Sequence, residues 1–308
     1  MCGEFPDTSM RVLLTIPHFF KASDSEEHGS LGRDPQPRLE ALTACLRSLH
    51  ATFGLSQAYY HHDEDGDRLV RQPANEATQV HLDVAICTTG GFHLLDRLPV
   101  ARRYYHHKSF HIDNPKFLGA GCHLLLKQNR DRYDYYGYLE DDLVLRDPYF
   151  FNKLEWFNQQ VGDEAVLQPN RFELSSEGEI EKVYVDADFE SILPLRKDDV
   201  HNFTKNTEII GRFLGSPIRI VRARNPHSGC FFLNRRQLAS WTDSSSFMKF
   251  DRQFIGPLET CSTGKLMEQF RIYKPDFKNA NFLEIQHFQP WFIQNWGESV
   301  RFTYKLLE

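Results

Sequence analysis

Residues 133–145 read YDYYGYLEDDLVL, a run in which three consecutive acids separate two apolar segments. The tyrosines and Leu139 that precede the acids are typical of a buried strand. Ligands of open α/β sheets bind at the carboxyl ends of strands, which is where Glu140, Asp141 and Asp142 would lie. Three neighbouring carboxylates repel one another and resist burial, so this stretch predicts either a bound cation or a shifted protonation state.

The spacing of these acids indicates how they would be used. Glu140 and Asp142 are two residues apart, so on extended backbone they point to one side and Asp141 points to the other. Mg²⁺ and similar hard cations bind one or two carboxylates and complete their coordination with substrate phosphates. A solvated acidic turn is the alternative, because short acidic motifs are common. The apolar residues on both sides of the motif favour the metal site.

The chain before this motif alternates between strand and helix patterns. Residues 11–16 have the β-branched, apolar character of a buried strand, and residues 38–50 place leucines on one helical face. Residues 80–87 predict a second strand, and Asn114-Pro115 predicts the start of another helix. This alternation predicts an α/β domain with a mostly parallel central sheet flanked by helices.

The second half of the chain has a more mixed pattern. Strand-like segments occur at 165–168, 218–221 and 230–233, and a helix pattern occurs at 259–270. Because no linker, repeat or low-complexity segment divides the sequence, we expect residues 1–308 to form a single domain.

Composition argues against several classes of protein. The 308 residues carry a net charge of −6 without a Lys/Arg block, so we expect no binding to nucleic acid. No apolar run approaches the roughly 18 residues of a transmembrane segment, and the N-terminus does not resemble a secretory signal. The six cysteines are scattered, which predicts buried free thiols in a cytoplasmic protein rather than disulfides or a zinc site.

The layout resembles the GT-A glycosyltransferases, whose nucleotide-sugar-binding α/β domain carries a DXD-type motif after an apolar strand. The motif stands here as Glu140-Asp141-Asp142, with glutamate at its first position. The resemblance implies a GT-A-like, Rossmann-type fold in which about 11–160 bind the nucleotide sugar and about 161–308 bind the acceptor. It also implies that Asp142 ligates Mn²⁺ or Mg²⁺, while Glu140 reaches the metal through water or binds the ribose or the sugar.

The resemblance further implies where the donor lies. In such enzymes the nucleotide is held by the loop after the first strand and by the end of the second strand. A helix start can bind the diphosphate, and a loop before a later strand borders the sugar. Beside Glu140 and Asp141, the expected nucleotide-sugar-binding residues are Pro17, His18, Phe19, Thr88, Thr89, Lys116, His227 and Ser228. Each of these also has a plain interpretation as part of a strand end, a turn or a helix start.

Two more roles follow from the resemblance. His287 lies in an alternating late segment, and such enzymes often complete the metal site with a C-terminal histidine. Glu259 stands at a helix start where inverting enzymes place the catalytic base, and Asp251 is a second candidate base. The structural alternatives are a core histidine for His287 and an acid that stabilises the helix dipole for Glu259.

We therefore expect a metal-dependent glycosyltransferase that moves a sugar from a nucleotide-diphosphate donor to a hydroxyl acceptor such as a carbohydrate. A nucleotidyltransferase is one alternative, but residues 17–20 read PHFF where that class would carry a Gly-rich, basic loop. A non-catalytic carbohydrate-binding protein on a glycosyltransferase-like fold is the other alternative. The sequence leaves inverting and retaining mechanisms open.

Overall fold

The central feature of the fold is a five-stranded sheet with two four-stranded sheets beside it. A computed structural model describes residues 10–23, 30–185, 206–250 and 254–296. In chain order the strands are β1 (Arg11–Pro17), β2 (Lys21–Ala22), β3 (Leu31–Gly32), β4 (Ala58–His62), β5 (Leu69–Pro73), β6 (His81–Thr89), β7 (His106–Phe110), β8 (Tyr135–Leu139), β9 (Leu143–Val144), β10 (Ala165–Leu167), β11 (Asn170–Leu174), β12 (Lys182–Tyr184), β13 (Glu208–Phe213), β14 (Ser216–Arg222), β15 (Cys230–Asn234), β16 (Arg271–Pro275) and β17 (Glu284–His287). The helices are α1 (Gln36–Phe53), α2 (Gly119–Gln128), α3 (Phe150–Val161), α4 (Arg235–Thr242), α5 (Pro257–Glu259), α6 (Lys265–Met267) and α7 (Trp291–Trp296).

The central sheet has the strand order β15-β8-β1-β6-β7. β1 pairs in parallel with both β6 and β8, β7 pairs in parallel with β6, and β15 pairs antiparallel with β8. Residues 12–16 and 135–139 are buried throughout, as interior parallel strands are when helices cover both faces. This confirms a mixed α/β fold with parallel strands, an arrangement consistent with a Rossmann-like domain.

Two helices cover opposite faces of this sheet. The side chains of Val12 and Leu14 share a buried cluster with the leucines of α1. Leu13, which points the other way, shares a second buried cluster with Leu125 and Leu126 of α2. The alternation of β1 therefore places one hydrophobic layer on each side of the sheet, and the carboxyl ends of β1 and β8 come together at one edge.

A four-stranded sheet in the order β12-β11-β17-β9 connects the acidic motif to the end of the chain. β9 follows the acids directly and pairs antiparallel with β17, so that Leu143 lies opposite His287. The backbone N–H of Phe288 donates to the carbonyl of Asp142 at 2.9 Å. This pairing holds His287 beside the acids, although 145 residues separate it from Asp142 in the sequence. The remaining four-stranded sheet has the order β10-β16-β14-β13.

The predicted helix at 259–270 corresponds to a helical stretch from Pro257 to Met267 whose middle is a π turn. Helix α5 ends at Glu259, a π-helical turn spans Thr260–Gly264, and α6 ends at Met267. The Thr260 hydroxyl donates to the carbonyl of Gly256 at 2.6 Å and accepts from the N–H of Phe254 at 2.9 Å. These side-chain bonds compete with the regular helical pattern.

Other expectations have clear outcomes. The helix that starts at Asn114-Pro115 begins as a 3₁₀ turn, Pro115–Phe117, before α2. Five cysteines, Cys45, Cys87, Cys122, Cys230 and Cys261, are buried and form no disulfide within the described part of the chain, as predicted. Cys2 lies outside the described residues. Among the helices of the described residues, none combines the length and apolar character needed to span a membrane.

Candidate active site

A cavity of about 650 Å³ opens at the carboxyl ends of β1 and β8. Among the described residues, four acids and four cations line it together with His227 and His287. The acids are Glu140, Asp141, Asp142 and Glu259, and the cations are Lys21, Arg38, Lys116 and Arg171. Pro17, Phe19 and Trp291 give parts of its wall an apolar surface.

Asp142 and His287 face each other in this cavity. Oδ2 of Asp142 lies 3.8 Å from Nε2 of His287, and both side chains are mostly buried. The other ring nitrogen of His287, Nδ1, lies 2.8 Å from Oε1 of Glu173, which is fully buried. Glu173 also accepts the backbone N–H groups of Phe292 and Ile293 at the start of α7. The imidazole is thereby held with Nε2 directed at Asp142.

The charge of Asp142 is stabilised by its neighbours. Burial alone would raise the pKa of Asp142, but the electrostatic influence of His287 and Arg38 outweighs burial and lowers that pKa. Oδ1 of Asp142 is buried and has no hydrogen-bond partner among the described residues. This carboxylate is therefore ionised and has an oxygen to offer to a ligand.

Asp141 lines the cavity from a buried position and belongs to a second network of contacts. Its carboxylate is fully buried, with Oδ2 at 2.5 Å from Nδ1 of His18 and Oδ1 in an ion pair with Arg38. Nε2 of His18 accepts the backbone N–H of Leu94 at 3.1 Å, so the imidazole proton is on Nδ1 and is donated to Asp141. His18 is thus a buried partner of the motif. The sequence analysis named His18 as a nucleotide-binding residue, but its ring is fully buried and bonded to protein groups.

Glu140 is the acid with the most perturbed protonation. Burial, followed by the charge of Asp142, raises the pKa of Glu140 to about 8. A Cβ atom at Gly229 would lie only 2.5 Å from Oε2 of Glu140, which is too close for a non-bonded contact. Gly229 also has φ +65°. Glycine is therefore required here both for the backbone conformation and for the space that the carboxyl group occupies.

Glu259 lines the cavity from the last position of α5 and immediately precedes the π-helical turn. Its carboxyl group folds back toward the backbone of Gly256. The charge of Glu259 contributes to the raised pKa of Glu140, which places the two acids in the same electrostatic environment. Ile255, also at the cavity, has φ +58°, which is costly for a β-branched residue.

The sequence-predicted site residues separate into three groups. Those that line the cavity are Pro17, Phe19, Lys116, Glu140, Asp141, Asp142, His227, Glu259 and His287. The others that are described, His18, Thr88, Thr89 and Ser228, are buried and bonded to protein groups. The hydroxyl of Thr88, for example, lies 2.8 Å from Nε2 of His107. Asp251 lies outside the described residues.

Sequence reasoning missed three charged residues of the site. Arg38 contacts two motif acids, Glu173 orients His287, and Arg171 lines the cavity while buried. The sequence contains one indication of Arg171 and Glu173, because these residues alternate with apolar residues along β11, which is typical of a strand with two different faces. The sequence does not say which face of that strand is buried, and here it is the polar face.

The fit of a divalent cation rests on Asp142 and His287. Nε2 of His287 faces the carboxylate of Asp142 at 3.8 Å, and Oδ1 of that carboxylate has no hydrogen-bond partner among the described residues, so these two side chains would hold the cation together. The Glu173–His287 contact is the carboxylate–histidine arrangement that orients metal-binding imidazoles. No group of three or more His, Cys, Asp or Glu side chains in the described part of the chain is arranged to hold a metal. The protein would thus supply two ligands, and substrate and water the rest.

Comparisons with known proteins give little further information. No family model matches the sequence, and no curated protein matches it. Among solved structures, that of TarS from S. aureus, a glycosyltransferase, is similar over 90% of this chain at 10% identity, with a TM-score of 0.38. The chain spans 36% of the length of that protein. Since a similarity this weak carries no functional argument, the function must be argued from the site.

Proposed function

We propose that this protein is a glycosyltransferase that moves a sugar from a nucleotide-diphosphate donor to a hydroxyl group of an acceptor. One observation carries the proposal. Asp142, which follows a strand of the central sheet, lies 3.8 Å from His287 in a cavity of about 650 Å³. Acids, cations and an apolar wall converge there, which suits a ligand with a ring, a diphosphate and a sugar.

The donor would bind along the edge of β1. Pro17 and Phe19 follow that strand and offer apolar surface to a nucleoside ring. Lys116 lies in the 3₁₀ turn Pro115–Phe117, on the wall of the same cavity, where its ammonium group can contact a diphosphate. A donor in this position has its sugar near Glu140 and His227.

Asp142 and His287 would hold a divalent metal in this enzyme. Bound there, Mn²⁺ or Mg²⁺ supplies a Lewis acid that neutralises the negative charge developing on the leaving diphosphate. Glu173 keeps His287 in the orientation that this requires, and β9 and β17 keep the histidine beside the acid.

The transfer step uses Glu259 as general base. The acceptor oxygen forms a bond to the anomeric carbon, and the bond from that carbon to the diphosphate oxygen breaks with its electron pair leaving on the diphosphate. The hydroxyl proton passes to the carboxylate of Glu259, which lines the cavity. Attack from the face opposite the diphosphate inverts the anomeric configuration.

Two experiments test the proposal. Thermal-shift screening against UDP, GDP, CMP and dTDP sugars with Mn²⁺ should find one donor class that stabilises the protein through binding linkage. Hydrolysis or transfer of that donor should then stop in EDTA. Donor binding without any turnover would instead favour the carbohydrate-binding alternative, and no stabilisation by any donor would contradict the proposal.

A further inference from the structure

We propose that Arg38 binds the donor diphosphate directly, so that diphosphate affinity at this site does not depend on a metal alone. This inference rests on the proposed function, because it assigns one more residue to the same site. The guanidinium lies on the cavity wall with a side chain 18% exposed, which leaves it accessible to a ligand.

The position of Arg38 is set by the helix that carries it. Arg38 lies in the first turn of α1, and the next residue, Leu39, packs into the core against the central sheet. The side chain of Arg38 therefore reaches the sheet edge where the acidic motif ends. Its Nη1 donates to Oδ2 of Asp142 at 3.1 Å, and its Nη2 forms an ion pair with Asp141.

The hydrogen-bonding capacity of Arg38 is not exhausted by these contacts. A guanidinium has five N–H donors in one plane, and the two carboxylates engage the two Nη atoms. The Nε–H is buried and has no hydrogen-bond partner among the described residues. An unpaired buried donor costs free energy, and an anionic ligand in the cavity would relieve that cost.

The network beneath Arg38 orients it rather than neutralises it fully. Asp141 is fully buried and accepts a hydrogen bond from His18, so this carboxylate is committed to holding the guanidinium in one plane. Asp142 is shared with His287. Arginine suits a phosphate ligand because its planar, weakly hydrated fork matches the geometry of phosphate oxygens. Asp141 and His18 then act as positioning residues for Arg38.

The rival explanation is that Arg38 serves only as a counter-ion for the two acids. Both explanations predict that the loss of the guanidinium destabilises the protein, so stability cannot separate them. They differ in ligand binding without metal. If Arg38 is only a counter-ion, the protein either does not bind pyrophosphate in EDTA or binds it equally well with and without the guanidinium. The proposal predicts that the protein binds pyrophosphate in EDTA and that this affinity depends on Arg38.

The experiment is calorimetric titration of the full chain with inorganic pyrophosphate in EDTA. The unmodified protein should bind pyrophosphate, and Arg38→Gln should weaken that binding by at least about tenfold, the effect of a charge-assisted contact. Arg38→Lys should retain part of the affinity, since it keeps the charge but loses the fork. Arg47→Gln is the matched control, because Arg47 lies exposed on α1 and lines a different cavity. Equal affinity in a folded Arg38→Gln protein, or no binding by the unmodified protein, overturns the proposal.

A second measurement uses the unmodified protein, in case both Arg38 variants fail to fold. Phenylglyoxal modifies accessible arginines, and peptide mapping should show Arg38 modified in EDTA and protected by pyrophosphate, with Arg47 modified equally in both. Modification of Arg38 that pyrophosphate does not reduce overturns the proposal.

Asp142→Asn separates this proposal from the proposed function. Loss of the carboxylate should abolish sugar transfer while pyrophosphate affinity in EDTA stays the same or increases. If transfer survives in that variant while the Arg38 effect holds, the metal mechanism fails and the role of Arg38 stands.

Discussion

The two ends of the central sheet each border a cavity, and the larger cavity has the simpler chemistry. At the amino ends of β1 and β6 a cavity of about 800 Å³ is lined by Arg47 and Arg103, both exposed at the surface. At the carboxyl ends the cavity has about 650 Å³, but it borders the fully buried acid Asp141 and the partly buried Asp142.

Cavity volume alone therefore does not identify the candidate site in this protein. A solvated arginine does not lower the stability of the fold, whereas a buried carboxylate destabilises the fold unless it is paired. At the carboxyl end the chain retains several such groups in shared networks, and the pKa of Glu140 is raised to about 8. Perturbed charges that converge on a cavity are the better indicator of a site.

The largest expected effect is that of Asp142→Asn. Removing the charged carboxylate should lower sugar transfer by more than about 10³-fold at saturating Mn²⁺, since a single electrostatic contact to a transition state can account for that much. Asp113→Asn, a fully exposed change at the same carboxyl side of the sheet, should have no effect. Near-normal transfer by a folded Asp142→Asn protein would remove the reason for placing the reaction at this end.

Glu259→Gln should lower kcat by roughly 10²- to 10⁴-fold while donor affinity barely changes, because a general base acts in the transition state. Steady-state kinetics and nuclear magnetic resonance of the product's anomeric configuration check this. A product with retained configuration would reassign Glu259 to a structural role in α5.

His287→Ala should raise the Mn²⁺ concentration for half-maximal activity by about 10- to 100-fold, the usual range for changes around a metal ligand. Excess Mn²⁺ should restore part of the rate. Calorimetric titration with Mn²⁺ alone should show the same weakening. If stability falls while Mn²⁺ affinity does not change, His287 is a core histidine.

Glu140→Gln tests the buried, protonated carboxyl group of Glu140 through stability. With a pKa of about 8, folded Glu140 keeps its proton between about pH 4.3 and 8, whereas the unfolded side chain has lost it. The native state binds the extra proton, so Glu140 makes the free energy of unfolding fall as pH rises through this interval. Urea denaturation in EDTA should show this fall in the unmodified protein and a smaller one in Glu140→Gln. Parallel pH profiles would contradict the raised pKa.

The smallest effects should occur at the amino end. Arg103→Gln should change kcat and KM less than about twofold and the free energy of unfolding by less than about 0.5 kcal/mol, as is usual for exposed positions. A large loss of transfer in this variant would break the contrast between the two ends.

The sequence predicted those parts of the fold that local patterns determine. The strands at 11–16 and 80–87, the helix at 38–50 and the acids at the end of β8 follow from periodicity, and the structure confirms them. The proximity of His287 to Asp142 was implied by resemblance, and its role as a metal ligand stays a prediction.

The remaining features depend on long-range packing. Arg38 meets Asp142 across 104 residues only because α1 packs on the sheet, and a local pattern does not contain that contact. His18 follows an apolar strand and resembled an exposed loop residue, but its ring turns inward to Asp141. The polar face of β11 is buried because it borders the site, which reverses the usual inward apolar face.

The π-helical turn at Thr260–Gly264 has a consequence for how this region can change. A π turn contains one residue more than an α turn, so it is equivalent to a helix with a single inserted residue. Each residue advances an α-helix by about 100°, so two positions seven apart would lie on nearly the same face of a regular α-helix, and the wider π turn offsets them. Glu259 can therefore face the cavity while Leu266, seven positions later, faces the interior. Straightening this turn to regular α-helix without removing a residue would force the chain to give up one of these two orientations.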